Sequence, residues 1–202
     1  MSVSNEIVTT LNGALSKHGF RKRSSVLVRP LTDGNTGFLG LSPRILQDGT
    51  VAVFVVAGVR HSAIYERGVA LGAYPASKTN PTLSVPLEYL DPARKAGEYQ
   101  FDPSRTGDAK EIARLTGDVI RLVLPFYERL DSAERALEAI GQGTFETLHN
   151  VQAFVPIAML QSGDPAGAVQ SAKKLLASMD QSRGAGKQYK IFVDKIVKAT
   201  RH

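Results

Sequence analysis

The run from Thr50 to Val59 constrains the fold more than any other stretch, because it is apolar and largely β-branched. Alternate residues of a strand face opposite sides of its sheet. Here Val51, Val53 and Val55 form one set and Ala52, Phe54 and Val56 the other, so both sides are apolar. Such a strand belongs in the middle of a sheet, with something covering each face. Burying one Val or Phe side chain contributes about 1.5–3 kcal/mol, which makes this strand the expected centre of the core.

The segments before it lead into it. Ile7, Val8, Leu11, Ala14 and Leu15 recur at helical spacing, which predicts an amphipathic helix over 3–18. Gly19 falls where a left-handed residue closes a helix, and Phe20 can pack back on Leu15. Arg21, Lys22 and Arg23 follow as a basic cluster. It reads either as an anion-binding group or, more plainly, as a solvated turn beside a sheet edge. Residues 24–31 and 36–45 read as strands separated by Asp33, Gly34 and Asn35. Asp48 and Gly49 suit a two-residue type I′ turn into the central strand. Links this short predict an antiparallel meander. Gly34, Gly37 and Gly40 lie between strands, so they read as turn and bulge glycines; a phosphate loop needs a helix after it.

Beyond the central strand, Arg60, His61, Tyr65 and Arg67 open a short helix running to Leu71. Residues at strand ends often border clefts, and Arg with His can hold a phosphate or carboxylate. These four are the candidate ligand-binding residues, set against the plainer reading of a surface helix with ordinary polar side chains. Residues 73–86 are rich in Pro, Ser, Thr and Asn and read as a loop, either connector or lid. Short extended runs at 83–85 and 98–101 complete a sheet of four to five strands.

From Asp102 onward the strand pattern stops. Asp108 with Glu111 opens a helix whose stripe is Ile112, Leu115, Val119, Ile120 and Val123, ended or kinked at Pro125. Asp131 with Glu134 starts another, reaching Ile140. Gly163, Asp164 and Pro165 combine a helix stop, an N-cap and a first-turn proline. They divide 144–180 into a helical hairpin, its first arm bent at Pro156. A last helix over 186–200 has Tyr189, Phe192, Val193 and Ile196 on its apolar side. Lys187, Lys190 and Lys198 lie on its polar side and, with Arg21, Lys22 and Arg23, make up a candidate basic patch. The expected fold is α+β: an antiparallel sheet with an N-terminal helix on one face and a C-terminal all-helical region. The sheet domain would cover 1–104. The helices of 105–202 would pack on its other face or extend from it.

Composition narrows the function. The chain has 202 residues and no cysteine, which excludes disulfides, thiolate metal sites and a cysteine nucleophile. No acid/base or metal-ligand spacing stands out, so no catalytic residue, metal or cofactor is assigned. The net charge of +6 comes from 25 cations against 19 anions, a mild excess that makes nucleic-acid binding a minor alternative. There is no basic-then-apolar leader, and no apolar run of the roughly 18 residues that span a bilayer. The expectation is a cytoplasmic protein that does not enter the membrane.

Several segments together resemble one family. They are Lys17 to Arg23 at the end of the first helix, Val26 to Arg29, the apolar third strand, Leu87 to Leu90 before Glu98 to Phe101, and Leu124 to Tyr127. The resemblance is to an uncharacterised bacterial family, the domain of unknown function of the 4304 type, and covers roughly residues 5–140. It departs from the family at Leu27 and Val28, where an aromatic is usual, and at Tyr99, where tryptophan is common. The resemblance implies a helix, a basic junction and an antiparallel sheet. It brings no catalytic residues and favours an interaction protein. The functional expectation is therefore a non-enzymatic binding or interaction module for a protein partner or a small anionic ligand. The alternatives are an enzyme acting on an anionic substrate through Arg60, His61 and Tyr65, or a nucleic-acid binder using the basic patch.

Overall fold

The computed structural model describes residues 3–93, 96–102, 108–145, 147–182 and 184–200, so the expected domain boundary at 104–105 lies outside the described residues. The fold is α+β around a six-stranded antiparallel sheet. Its strands are β1 Arg21–Arg23, β2 Val26–Pro30, β3 Thr36–Ile45, β4 Val51–Arg60, β5 Leu83–Pro86 and β6 Glu98–Phe101. As the apolar run demands, β4 is central. It pairs with β3 along its whole length, and its other edge is shared by β5 on residues 56–59 and β6 on residues 51–54.

One strand exceeds the expectation. The basic cluster is itself a strand: β1 folds back on β2 through Ser24 and Ser25, with Ser24 at φ 57. All three of its residues are exposed, so β2 acts as its template and its own burial contributes little. The β3–β4 turn also differs. Leu46 N–H donates to Thr50 O at 2.8 Å, Gly49 N–H donates to Leu46 O at 3.1 Å, and only Gly49 has a positive φ, of 83. This is a three-residue loop ending in a left-handed glycine, not a type I′ turn. Asp48 Oδ1 accepts the Thr50 N–H at 2.9 Å and holds it.

Helix α1, Val3–Leu15, ends in a 3-10 turn and in Gly19 at φ 84, as its sequence predicts. It buries Ile7, Val8, Leu11 and Leu15 against β1, β2 and β3. Helix α2, Ser62–Leu71, follows β4 directly. Helix α3, Ala109–Asp118, is capped by the Asp108 carboxylate, which accepts the N–H groups of Lys110 and Glu111. It continues through a π-helical turn, Val119–Val123, into α4, Leu124–Arg129. Pro125 lacks an N–H, and its ring would strike the carbonyl four residues back. The wide turn just before it absorbs both problems, so the helix carries on.

The helices do not divide between the two faces of the sheet as expected. In an antiparallel sheet directly paired residues point the same way. Lys22, Leu27, Leu39, Ala57 and Val85 therefore share one face, as do Val53 and Tyr99. Lys22 Nζ donates to Thr9 Oγ1 of α1 at 2.8 Å, and Tyr99 Oη donates to Asp118 Oδ2 of α3 at 2.8 Å. The ring of Tyr127 on α4 lies against Gly37, on that same face. Hence α1 and the 109–129 helix cover one side together. Phe54, on the opposite side, is 39% exposed, and Val56 is half-buried. The second apolar set of β4 is therefore not sealed.

The remaining helices are α5 Ala133–Gly141, α6 Val151–Gln161, α7 Pro165–Ala177 and α8 Gly184–Ala199. Ser132, not Asp131, caps α5, its Oγ accepting the Arg135 N–H at 3.2 Å. Helix α6 begins later than its apolar stripe suggests, because His149 N–H pairs with Ser84 O on β5 at 2.8 Å and keeps the chain extended. Asp164 caps α7 as predicted, and α6, α7 and α8 pack in sequence with α2 beside α6. One apolar cluster runs from α1 through the sheet to α8, so sheet and helices share a core. No helix among the described residues is long and apolar enough to cross a membrane.

Candidate functional site

The four residues at the β4–α2 junction each have a place, and their side chains are engaged with different parts of the protein. His61 is buried, 2% exposed. Its Nε2 lies 2.8 Å from Leu130 O, a group that can only accept, so Nε2 carries the proton. Nδ1 lies 2.8 Å from Thr82 Oγ1, whose single proton is shared between Nδ1 and Val59 O, also 2.8 Å away. Burial lowers the imidazole pKa from 6.5 to about 4, against a smaller upward pull from the Leu130 carbonyl. The ring is thus neutral, with both nitrogens engaged inside the protein, and it ties β4 to the Thr82 segment and to the end of α4.

Arg60 and Tyr65 act together on the loop. The Arg60 guanidinium carbon sits 3.7 Å above the centre of the Tyr65 ring, and Nη1 donates to Ser77 O at 2.9 Å. Tyr65 stacks on Tyr74 at 5.4 Å and donates to Pro75 O at 2.6 Å. Pro81 rests on Gly58, where a side chain would meet it at 2.7 Å. The 73–82 segment is therefore a pinned connector crossing the end of the sheet. Arg67 faces elsewhere: Nη1 donates to Leu160 O and Gln161 Oε1, both at 3.3 Å, joining α2 to α6.

The basic patch is not assembled either. Arg21, Lys22 and Arg23 stand on the edge strand beside α1, whereas Lys187, Lys190 and Lys198 ride on α8, which packs against α7 and α2. Lys190 pairs with Asp194 one turn away at 3.4 Å. Even β1 is divided, since Lys22 points to the helix-covered face while Arg21 and Arg23 point to the open one.

That open face is what the reading of the sequence missed. Arg23, Val26, Gly40, Val56 and Pro86 stand side by side across it, next to the row Arg21, Val28, Phe38, Gly58 and Ser84. Ser42, Phe54 and Glu98 make a further row, and Arg44, Ala52 and Gln100 another. Val26, Val28 and Val56 are half-buried, while Arg21, Arg23 and Arg44 are exposed. The result is an apolar strip with guanidinium groups at both ends. No local signal marks it, because its residues come onto one face only through the pairing of β1, β2, β3 and β4. Such a surface can desolvate apolar groups and pair with carboxylates. Among the described residues no group of three or more His, Asp or Glu could hold a metal ion.

Comparison with family models, with curated proteins and with solved structures found no match to this chain.

Proposed function

We propose that this protein is a non-enzymatic binding module that docks an acidic protein segment on the open face of its sheet. One observation carries the reading: Arg21, Arg23 and Arg44 share a face with Val26, Val28, Phe54 and Val56, while Glu98 is the acidic residue in those rows. The net charge of +6 points the same way. A half-buried strip of valines with an exposed Phe54, bordered by like charges, has the composition of a partner surface, with an apolar centre and a charged rim. Guanidinium groups favour carboxylates, which they bind in a two-pronged geometry.

The aliphatic character of the strip selects among anionic partners. Single-stranded nucleic acid is gripped by bases stacking on aromatic rings. Phe54 is exposed, but Phe38, two rows away, is buried and the valines offer no flat ring face. A second copy of the same face would set arginines against arginines, which disfavours self-association there. The junction residues favour no catalytic reading, because His61 is held by Thr82 and Leu130.

The test is a titration followed by backbone amide NMR, with an acidic Glu/Leu peptide as one probe and oligo(dT) as the other. The peptide should shift resonances of β2, β3 and β4, and the Arg21→Glu, Arg44→Glu double variant should remove the effect. Shifts confined to other elements, or oligo(dT) binding the face in preference to the peptide, would overturn the reading.

A further inference from the structure

We infer that a separate cavity, between the end of β2 and α4, binds a small carboxylate through Arg29 and Tyr127. The cavity has a volume of about 340 Å³, and Arg29, Leu31, Thr32, Tyr127, Glu128 and Asp131 line it. That size lies at the lower end of the range for small-molecule sites. Arg29 and Tyr127 stand on the helix-covered side of the sheet, and none of the arginines or valines of the face described above lines the cavity.

The local construction starts from a glycine. Gly37 is the direct cross-strand partner of Arg29. A Cβ at Gly37 would lie 2.7 Å from Tyr127 Cε2 and 2.8 Å from Cζ. Only without that Cβ can the ring descend onto the sheet, and it brings the phenol end down beside Arg29. There the Tyr127 hydroxyl is buried and has no hydrogen-bond partner among the described residues. Buried polar atoms are seldom left this way, because the fold loses the water they gave up and gains nothing in return. Tyr65, Tyr99 and Tyr189 find acceptors for their hydroxyl groups, while Tyr74 shares the condition of Tyr127 but does not line this cavity.

Arg29 presents the second donor. Its Nε donates to His18 O at 3.0 Å, which fixes the plane of the guanidinium. No hydrogen bond of its terminal nitrogens is found among the described residues. A hydroxyl and a guanidinium, both short of an acceptor, are the donor set that a carboxylate satisfies. Burial pushes the Tyr127 phenol far above its ordinary range, so the group stays protonated and able to donate.

The acidic residues at the rim refine the ligand. The Asp131 carboxylate is paired with Arg135 at 3.2 Å, while Glu128, exposed and lining the cavity, meets Arg135 only through its backbone carbonyl, and no partner of its carboxylate is found among the described residues. A dianion would be repelled there. A singly charged carboxylate is accepted, and one with an ammonium group next to it gains Glu128 as well. The ligand class is therefore a small monocarboxylate, with the zwitterion of an amino acid as its favoured form.

The test is an NMR titration at matched ionic strength, with acetate, glycine and inorganic phosphate as probes. Acetate and glycine should shift the Arg29 Nε–H and the Gly37 amide saturably, glycine more tightly, and phosphate should not. Tyr127→Phe removes only the stranded hydroxyl, so the free variant should be at least as stable as the parent while its carboxylate affinity falls about tenfold. Arg29→Gln should abolish binding. The inference is overturned if no probe gives a saturable shift, if phosphate binds best, or if Tyr127→Phe binds as the parent does.

Discussion

His61 Nδ1 lies 2.8 Å from Thr82 Oγ1, a contact between the end of the central strand and the segment that leads into β5. It fixes where the 73–82 connector lands. It also removes from solvent the only histidine of the β4–α2 junction, and that has a consequence for acid stability.

Burial draws the His61 pKa down from 6.5 to about 4. Between those values the unfolded chain takes up a proton that the folded chain refuses. Stability from this group is complete above the unfolded pKa and drains away as pH falls towards the folded one. A shift of that size corresponds to on the order of 3 kcal/mol. Denaturant midpoints measured between about pH 4 and 7 should rise with pH. His61→Gln, which keeps a donor and an acceptor, should flatten the slope. An unchanged slope in that variant would mean the ring titrates as though in water.

Gly37 and Gly40 are both strand glycines, and they should respond differently to a methyl group. At Gly37 the new Cβ meets the Tyr127 ring at 2.7 Å, whereas at Gly40 the nearest atom is Val56 O at 3.8 Å. Gly37→Ala should cost about 1–3 kcal/mol through overpacking. Gly40→Ala should be close to neutral in the same chemical denaturation series. Equal effects would show that Tyr127 does not sit on the sheet.

Arg60 holds the connector through its stack on Tyr65 and its bond to Ser77 O at 2.9 Å. Replacing it by Ala removes a cation–π contact and a charge-assisted hydrogen bond, about 1–3 kcal/mol together. Most of that loss should be local. Limited proteolysis of Arg60→Ala should produce early cleavage within residues 73–80, located by mass spectrometry. Cleavage that begins in α7 or α8 instead would contradict the assignment.

Local signals made much of the fold legible. Gly19 closes α1, and Gly163, Asp164 and Pro165 separate α6 from α7, because caps and left-handed residues act within one turn of chain. The centrality of β4 followed from its apolar run. What escaped is what distance decides. Ala52, Phe54 and Val56 look like a second buried set, yet whether a helix lands on them depends on where α3 docks, more than fifty residues later. Arg21 to Arg23 has no apolar alternation, so nothing local marks it as a strand before β2 is there to pair with it. His61 looked like a site residue because its main acceptor, Leu130 O, comes from the far end of the 109–129 helix. The candidate surface was hidden for the same reason, since its arginines and valines share a face only once the strand register is known.

The sheet is covered by helices on one side and only in part on the other, where Ala52 and Phe38 are buried but Phe54 is not. Val53 is 1% exposed and Phe54 is 39% exposed, although they are neighbours in β4. Thermal unfolding of the paired variants Val53→Asp and Phe54→Asp tests this most directly. Val53→Asp should yield no cooperatively folded protein, because it buries a charge in the shared core. Phe54→Asp should fold and melt cooperatively, within about 1 kcal/mol of the parent. A cooperative transition in Val53→Asp, or its loss in Phe54→Asp, would contradict the account.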